Sequence, residues 1–174
     1  MEIKYSGKII EVVTEQHGNK VFEFARRSPG VRALIIKDGK MLLSREFRTE
    51  VGGYDYRLPG GKVFDTLEEY RKHAGKDLTK FAVEAVIKEV KEEVGLITKS
   101  PKLIKISHAG ATVVWDLFYF EITDFKEGSQ NLEEGEDITS NWYALKEVKQ
   151  FCLYGKISED RSVAVILSYI LTSR

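Results

Sequence analysis

The segment Lys88-Glu89-Val90-Lys91-Glu92-Glu93-Val94-Gly95-Leu96 decides the fold of this chain. It completes a stretch, beginning at Phe81, in which apolar residues recur at helical spacing up to a glycine that is a typical helix stop. Glu89, Glu92 and Glu93 are three and four positions apart, so a helix places their carboxylates on one face. We therefore predict a helix with an acidic face, for which an ordinary solvated surface is the alternative.

The acidic face suits a hard divalent cation. Like charges at this spacing destabilise a helix by about 0.2 to 0.5 kcal/mol per pair, and a bound cation would offset that cost. Carboxylate oxygens are the ligands preferred by Mg²⁺ and Mn²⁺, which also bind substrate phosphates. Glu89, Glu92 and Glu93 are therefore candidate ligands for Mg²⁺ or Mn²⁺.

Composition limits the classes of partner. The chain has 174 residues with 27 Lys plus Arg and 27 Asp plus Glu, which gives a formal net charge of zero. Binding to nucleic acid or to a membrane surface relies on excess positive charge, so we expect neither partner. No apolar stretch approaches the roughly 20 residues of a membrane span, and the single Cys152 forms no intramolecular disulfide. We expect one cytoplasmic domain over residues 1–174.

Hydrophobic patterning predicts an α/β (α+β) protein with a mixed sheet sandwiched between helices. Residues 1–30 are expected to form an N-terminal β-hairpin, and Thr79 is a candidate cap for the central helix. The other predicted strands cover residues 31–37, 41–47, 103–107, 113–122 and 138–145, and the closing helices cover residues 147–154 and 162–171.

A glycine turn precedes the acidic helix, in Arg57-Leu58-Pro59-Gly60-Gly61-Lys62-Val63. Paired glycines let the backbone approach another element or a ligand closely. Together, the turn and the helix resemble the Nudix hydrolase box, a Gly and a spaced Glu followed by Arg-Glu-aliphatic-x-Glu-Glu-x-Gly-aliphatic. Lys88 replaces the arginine, residues 64–80 form an insertion within the box, and the first glutamate has no counterpart.

Within that family the chain looks most like the ADP-ribose pyrophosphatases. The similarity lies in the N-terminal hairpin, in Arg45-Glu46-Phe47-Arg48 at a strand end, in the acidic stretch 131–138 and in the ending 155–158. After the box, residues 107–112 depart from that subgroup, which has a proline and acidic residues there. The resemblance implies a Nudix fold and a homodimer whose small-molecule substrate is a nucleotide.

The resemblance also implies the reaction. It is metal-dependent hydrolysis of the pyrophosphate bond of ADP-ribose or a related nucleoside diphosphate sugar, giving a nucleoside monophosphate and a sugar phosphate. Glu89, Glu92 and Glu93 would be catalytic as ligands of Mg²⁺ or Mn²⁺. A loop glutamate would be the general base, with Glu134 or Glu136 favoured over Glu133, although a solvated loop acid is the alternative for each.

Substrate contacts are expected around the glycine turn. Guanidinium groups match phosphates bidentately, which makes Arg45, Arg48 and Arg57 candidates, with surface ion pairs as the alternative. Adenine would stack on an aromatic face, for which Phe47 is a candidate together with Phe22, Phe24 and Tyr54, although core positions are the alternative. Gly60 and Gly61 complete the predicted substrate-binding residues.

Two other functions remain open. One keeps the chemistry but changes the substrate to a nucleoside triphosphate or a dinucleotide. The other is a nucleotide-sensing Nudix domain that has lost turnover, which Lys88 and the missing first glutamate favour. The three helix carboxylates argue against the sensor, because a sensor does not need them.

Overall fold

The computed structural model describes residues 1–132, 135 and 137–172. Within these residues the chain forms twelve strands and four helices. In chain order they are β1 (Glu2–Ser6), β2 (Glu11–His17), β3 (Lys20–Arg26), β4 (Gly30–Lys37), β5 (Lys40–Arg48), β6 (Gly53–Arg57), α1 (Leu67–His73), α2 (Thr79–Val94), β7 (Leu96–Ile97), β8 (Lys102–Ser107), β9 (Val113–Val114), β10 (Leu117–Ile122), β11 (Lys126–Glu127), β12 (Ile138–Ala144), α3 (Leu145–Leu153) and α4 (Asp160–Thr172). No helix in the described part of the chain is both long and apolar enough to cross a membrane.

The central sheet has six strands in the order β12-β5-β4-β10-β8, with β6 paired to β5. Strands β4 and β10 run parallel, from the pair Gly30 and Leu117 to the pair Ile35 and Ile122, and the other pairs are antiparallel. The sheet is therefore mixed, as predicted.

Helices cover both faces of this sheet. Alternation along β4 sends Val31, Ala33 and Ile35 towards α2, while Leu34 packs with α3 and α4 on the opposite side. Strand β10 alternates in the same way. Two apolar clusters, one on each face, therefore hold the sheet between helices, which confirms the predicted layers.

Strand β5 stays beside β4 only near the hairpin turn. The pairs Ile36 with Met41 and Lys37 with Lys40 join the two strands, and from Ser44 onward that edge of β5 pairs with β6 instead. Strand β12 pairs with β5 along its other edge. The glycine turn takes the vacated edge of β4, because Val31 N–H donates to Gly61 O at 2.9 Å and Ala33 N–H donates to Pro59 O at 2.8 Å. A cleft opens where the two strands separate.

The predicted strand over residues 113–122 is wrong in one respect, because it is two strands. Residues 115 and 116 interrupt it, and Gly30 N–H donates to Asp116 O at 2.9 Å. Before the break, β9 runs parallel to β3, and after it β10 joins the central sheet. The chain passes from one sheet to the other at this point.

The N-terminal extension has three strands where the sequence predicted two. Strand β1 pairs with β2, and β2 pairs with β3. The predicted cap Thr79 is also one position out, because the N-cap is Leu78 and Thr79 is the first residue of α2. The side chain of Asp77 accepts the Thr79 N–H at 2.9 Å, so an aspartate two residues earlier supplies the missing acceptor.

The inserted segment is packed into the protein. It carries the short helix α1, whose N-cap Thr66 accepts a hydrogen bond from Glu69 N. Phe64, Leu67 and Tyr70 are buried in the same apolar cluster as α2. The insertion therefore extends the core on the α2 face.

A buried carboxylate joins the insertion to the N-terminal sheet. Glu11 on β2 is fully buried and pairs with Arg26 and with Arg71 of α1. Burial opposes ionisation of Glu11, but hydrogen bonds from Arg71 and Arg26 outweigh it and lower the pKa of this carboxyl below its ordinary value. This three-residue network fixes α1 in place.

Candidate active site

A cleft of about 230 Å³ lies between α2, the glycine turn and one face of β5. It brings the three helix glutamates together with the turn glycines and several basic side chains. The lining residues are Arg32, Ser44, Glu46, Arg48, Arg57, Leu58, Gly60, Gly61, Lys62, Asp65, Lys88, Glu89, Glu92, Glu93 and Ile138.

The glycine turn lies directly against the carboxylates of α2. Gly60 N–H donates to Glu93 Oε2 at 2.8 Å. A Cβ at position 61 would lie 2.1 Å from Glu89 Oε1, so any side chain there would have to displace the Glu89 carboxylate. Only glycine at this position lets the Glu89 carboxylate approach the turn so closely.

The first glycine of the turn is constrained on its other side. Gly60 has φ of +150°, and a Cβ there would lie 2.1 Å from Val31 O on β4. The turn is therefore held between a sheet strand and the acidic helix. Glycine suits both positions, because a Cβ at position 60 would overlap β4 and a Cβ at position 61 would overlap Glu89.

The three carboxylates line one cleft, but they are not gathered about one point. In residues 1–132, 135 and 137–172, no three His, Cys, Asp or Glu side chains form a group that could hold a metal ion as they stand. Glu92 Oε2 lies 3.7 Å from Lys88 Nζ, so the lysine at the box arginine position forms an i,i+4 ion pair. The oxygen donors still match the chemistry of Mg²⁺ or Mn²⁺.

Arg32 is a cleft residue that the sequence analysis missed. It is buried on β4, and its Nε and Nη2 donate to the two carboxylate oxygens of Glu159 at 2.9 and 3.0 Å. Burial opposes ionisation of Glu159, but Arg32 and a hydrogen bond from Ser162 outweigh it and lower its pKa. An arginine inside an otherwise apolar strand was the available signal, because charged residues are rarely buried without a partner.

The other two cleft arginines are also oriented by carboxylates. Arg48 donates to Glu46 at 3.1 Å and to Glu50 at 2.8 Å. Arg57 Nε donates to Asp55 Oδ2 at 2.8 Å, and Asp55 is almost fully buried. These pairs hold the guanidinium groups beside the cleft.

Strand alternation separates the predicted substrate residues of β5. Glu46 and Arg48 face the cleft, whereas Arg45 and Phe47 are not among the residues that line it. Arg45 stacks on the Tyr54 ring at 3.7 Å, and Phe47 meets the same ring edge-on at 5.7 Å between centroids. The structure thus brings Arg48, but not Arg45 or Phe47, to the cleft.

The two residues that shortly precede the predicted general bases are hydrogen-bonded to the last turn of α2. Asn131 N–H donates to Glu92 O at 2.9 Å, and Gln130 Nε2 donates to Glu93 O at 2.6 Å. On the far side of the loop, Ile138 lines the cleft. Glu133, Glu134 and Glu136 themselves lie outside the described residues.

Cys152 does not belong to this site. It is buried on α3 in the apolar cluster of the opposite face. Burial raises the pKa of its thiol to about 11, so the thiol stays protonated at neutral pH. Nucleophilic thiol chemistry is therefore not a property of this residue.

Comparison with known proteins identifies the fold. No family model matches the sequence, and no curated protein matches it either. Among solved structures, an ADP compounds hydrolase matches with a TM-score of 0.68 at 20% identity, over 95% of this chain and 87% of that chain. A MutT NUDIX hydrolase from Burkholderia pseudomallei matches with a TM-score of 0.50 at 23% identity, over 68% of this chain and 84% of that chain.

At identities this low, the two structural matches establish a shared architecture and nothing further. The match with the ADP compounds hydrolase covers 95% of this chain. The resemblance to Nudix hydrolases inferred from the box is therefore confirmed for the architecture, and this chain has the Nudix fold.

Proposed function

We propose that this protein is a metal-dependent Nudix hydrolase that cleaves the pyrophosphate bond of ADP-ribose or a related nucleoside diphosphate sugar. The contact of Glu93 and Glu89 with the Gly60-Gly61 turn carries the proposal, because it positions the helix carboxylates beside a cleft that basic side chains also line. The fold shared with an ADP compounds hydrolase supports the substrate class. The products would be a nucleoside monophosphate and a sugar phosphate.

Glu89, Glu92 and Glu93 would hold Mg²⁺ or Mn²⁺ in this proposal. A divalent cation bound there supplies charge neutralisation for the phosphates and lowers the pKa of a bound water. Gly60 N–H holds the Glu93 carboxylate towards the turn at 2.8 Å, which limits its rotation. Lys88 pairs with Glu92 and so restrains the second carboxylate.

Basic side chains of the cleft would bind the substrate phosphates. Arg48 and Arg57 line the cleft and are fixed by their carboxylate partners, so their guanidinium groups are oriented before substrate arrives. Glu134 or Glu136 would take a proton from the attacking water, a role that rests on the resemblance to the family. Of the residues that flank them in sequence, Asn131 donates its N–H to Glu92 O, and Ile138 lines the cleft.

The same proposal includes a cytoplasmic homodimer. The N-terminal strands and β9 form a separate four-stranded sheet that leaves several large apolar side chains exposed. Strand pairing places Tyr5, Val21 and Val113 on one face of this sheet and Ile3 and Phe22 on the other. Exposed apolar surface of this kind is typical of an interface, and a second copy of the chain is the proposed occupant.

Light scattering should give a molar mass about twice the 19.9 kDa of the chain. Replacing Tyr5 and Val21 together by Ser should shift the mass towards that of one chain, because the pairing of β1 and β3 with β2 places these two exposed side chains on the same face of the sheet. A wild-type protein that stays monomeric at high micromolar concentration would exclude the homodimer.

A phosphate-release screen tests the activity. The protein should hydrolyse ADP-ribose or another nucleoside diphosphate sugar in the presence of Mg²⁺ or Mn²⁺ and a coupled phosphatase, and a chelator should stop it. Preference for a triphosphate or a dinucleotide would keep the chemistry and replace the substrate. Nucleotide binding in calorimetry without turnover of any compound would instead establish the sensor.

Glu93→Gln should lower kcat by more than about a hundredfold while the unfolding midpoint stays close to that of wild type. Loss of a group that merely supports a metal ligand costs roughly 10- to 100-fold, so loss of a ligand should cost more. The amide oxygen can still accept the Gly60 N–H. Glu84→Gln is the matched control, since Glu84 is exposed on the same helix and outside the cleft, and equal activity in both variants would contradict the role of Glu93.

Gly61→Ala should reduce kcat by about a hundredfold, because the new methyl group must displace the Glu89 carboxylate and small displacements of catalytic groups have effects of that size. Gly53→Ala is the control, since no atom lies within 4 Å of a Cβ at position 53. Steady-state kinetics on both variants makes the comparison. Wild-type activity in Gly61→Ala would show that the position of Glu89 is irrelevant to turnover.

A further inference from the structure

A second cleft adjoins the first across the glycine turn. It has a volume of about 280 Å³ and shares Gly60 and Gly61 with the carboxylate-lined cleft. Five basic residues line it, and no carboxylate of the described residues does. The basic residues are Arg27, Arg32, Arg48, Arg57 and Lys62.

The concentration of positive charge is local. The whole chain carries equal numbers of acidic and basic residues, so a generally basic surface does not account for it. Six residues, Gly60, Gly61, Lys62 and the arginines at 32, 48 and 57, belong to both clefts. A ligand can therefore extend from the carboxylates of α2 into this basic compartment.

Two of the basic residues lack a carboxylate partner. Arg32, Arg48 and Arg57 pair with acidic side chains, whereas Arg27 and Lys62 have none within 4.0 Å among residues 1–132, 135 and 137–172. The Arg27 guanidinium instead stacks on Trp115, 4.3 Å from the ring centroid. An incoming anion would meet positive charge that is not already neutralised.

Arg27 is also held close to other cations. Partial burial and the nearby charges of Arg32 and Arg161 lower its pKa below the ordinary arginine value. The charged form of Arg27 is thus less favourable here than in water, although an arginine remains protonated. A bound anion would relieve this repulsion.

We propose that the basic compartment binds a phosphomonoester that the substrate carries in addition to its pyrophosphate. The inference rests on the proposed function, in which the pyrophosphate lies beside the carboxylates of α2. Guanidinium groups bind phosphate oxygens bidentately, and Lys62 adds a mobile ammonium group. At about 280 Å³ the compartment is smaller than most clefts that enclose a whole ligand, roughly 300 to 1,000 Å³, so it suits one phosphorylated end of the substrate.

The substrate class is then a nucleoside diphosphate sugar with a further phosphate on one of its two arms. The phosphate can lie on the nucleoside ribose, as in 2′-phospho-ADP-ribose, or on the distal sugar, as in ADP-ribose 1″-phosphate. Both present the same dianionic group to the compartment. Which arm carries the phosphate decides the direction in which the substrate lies.

The test is the ratio of kcat/KM for each phosphorylated compound to kcat/KM for ADP-ribose. The wild-type ratio should be at least about tenfold for one of the two compounds, because a hydrogen bond to a charged group changes affinity by roughly that factor or more. Arg27→Gln should bring the ratio towards one. Arg27→Lys should keep most of it, because the charge remains.

Lys80→Gln is the charge control, since Lys80 is exposed on α2 and lines neither cleft. It should leave the ratio at the wild-type value. A wild-type ratio near one for both compounds would overturn the inference. So would an equal loss on all three compounds in Arg27→Gln, which would mean that the basic compartment binds the pyrophosphate itself.

A binding measurement separates this inference from the proposed function. Calorimetry compares ADP-ribose with 2′-phospho-ADP-ribose and with ADP-ribose 1″-phosphate, each of which differs from it by one phosphate, in chelator, so that no turnover is needed. Tighter binding of a phosphorylated compound, reduced in Arg27→Gln and retained in Lys80→Gln, supports the compartment even if no substrate is hydrolysed. Equal affinities for all three compounds would overturn the compartment even if ADP-ribose is hydrolysed.

Discussion

The candidate site depends on the contact between the glycine turn and helix α2. The hydrogen bond from Gly60 N–H to Glu93 and the close approach of Glu89 to Gly61 join the two halves of the box. A carboxylate that accepts a backbone N–H is restrained in direction and remains an acceptor for other partners. The turn therefore both positions the acidic helix and forms the floor of the cleft.

This contact requires that β5 leave β4 early. If β5 had paired along the whole of β4, it would have occupied the edge where Val31 and Ala33 bond to the turn. Because the strands separate, the glycine turn can bond to the free edge of β4. Glu46 and Arg48 of β5 line the cleft that lies beside the turn. Acidic groups from the helix and basic groups from the strand thus meet in one space.

The sequence predicted the features that depend on local patterns. Helix α2 and the layered mixed sheet follow from the spacing of apolar residues. The break at residues 115 and 116 did not, because nothing in the apolar run shows that its two halves belong to different sheets. The ion pair of Arg32 with Glu159 was equally hidden, since the partners are 127 positions apart.

Strand parity explains the uneven outcome for the predicted site residues. Arg45, Phe47 and Arg48 lie close together in sequence and were predicted from their side-chain chemistry, but neighbouring residues on a strand face opposite sides. The sequence does not show which face of β5 meets α2, and that face determines which of these side chains reaches the cleft. The buried Leu42 shares its parity with Arg48 and packs on the α2 side, whereas Leu43 shares its parity with Arg45 and packs on the other.

The insertion shows why sequence spacing within the box is not what sets its geometry. The turn is anchored upstream, where Val63 N–H donates to Pro29 O at 2.8 Å and Phe64 N–H donates to the Ser28 hydroxyl at 3.0 Å. Helix α2 is anchored separately by its apolar face on the sheet. The sheet therefore fixes the glycine turn and α2 independently of each other. The residues between them can vary in number as long as the segment begins and ends at these two fixed points. Phe64 at its start and Leu78 near its end are buried in the same apolar cluster, which keeps the two ends in place.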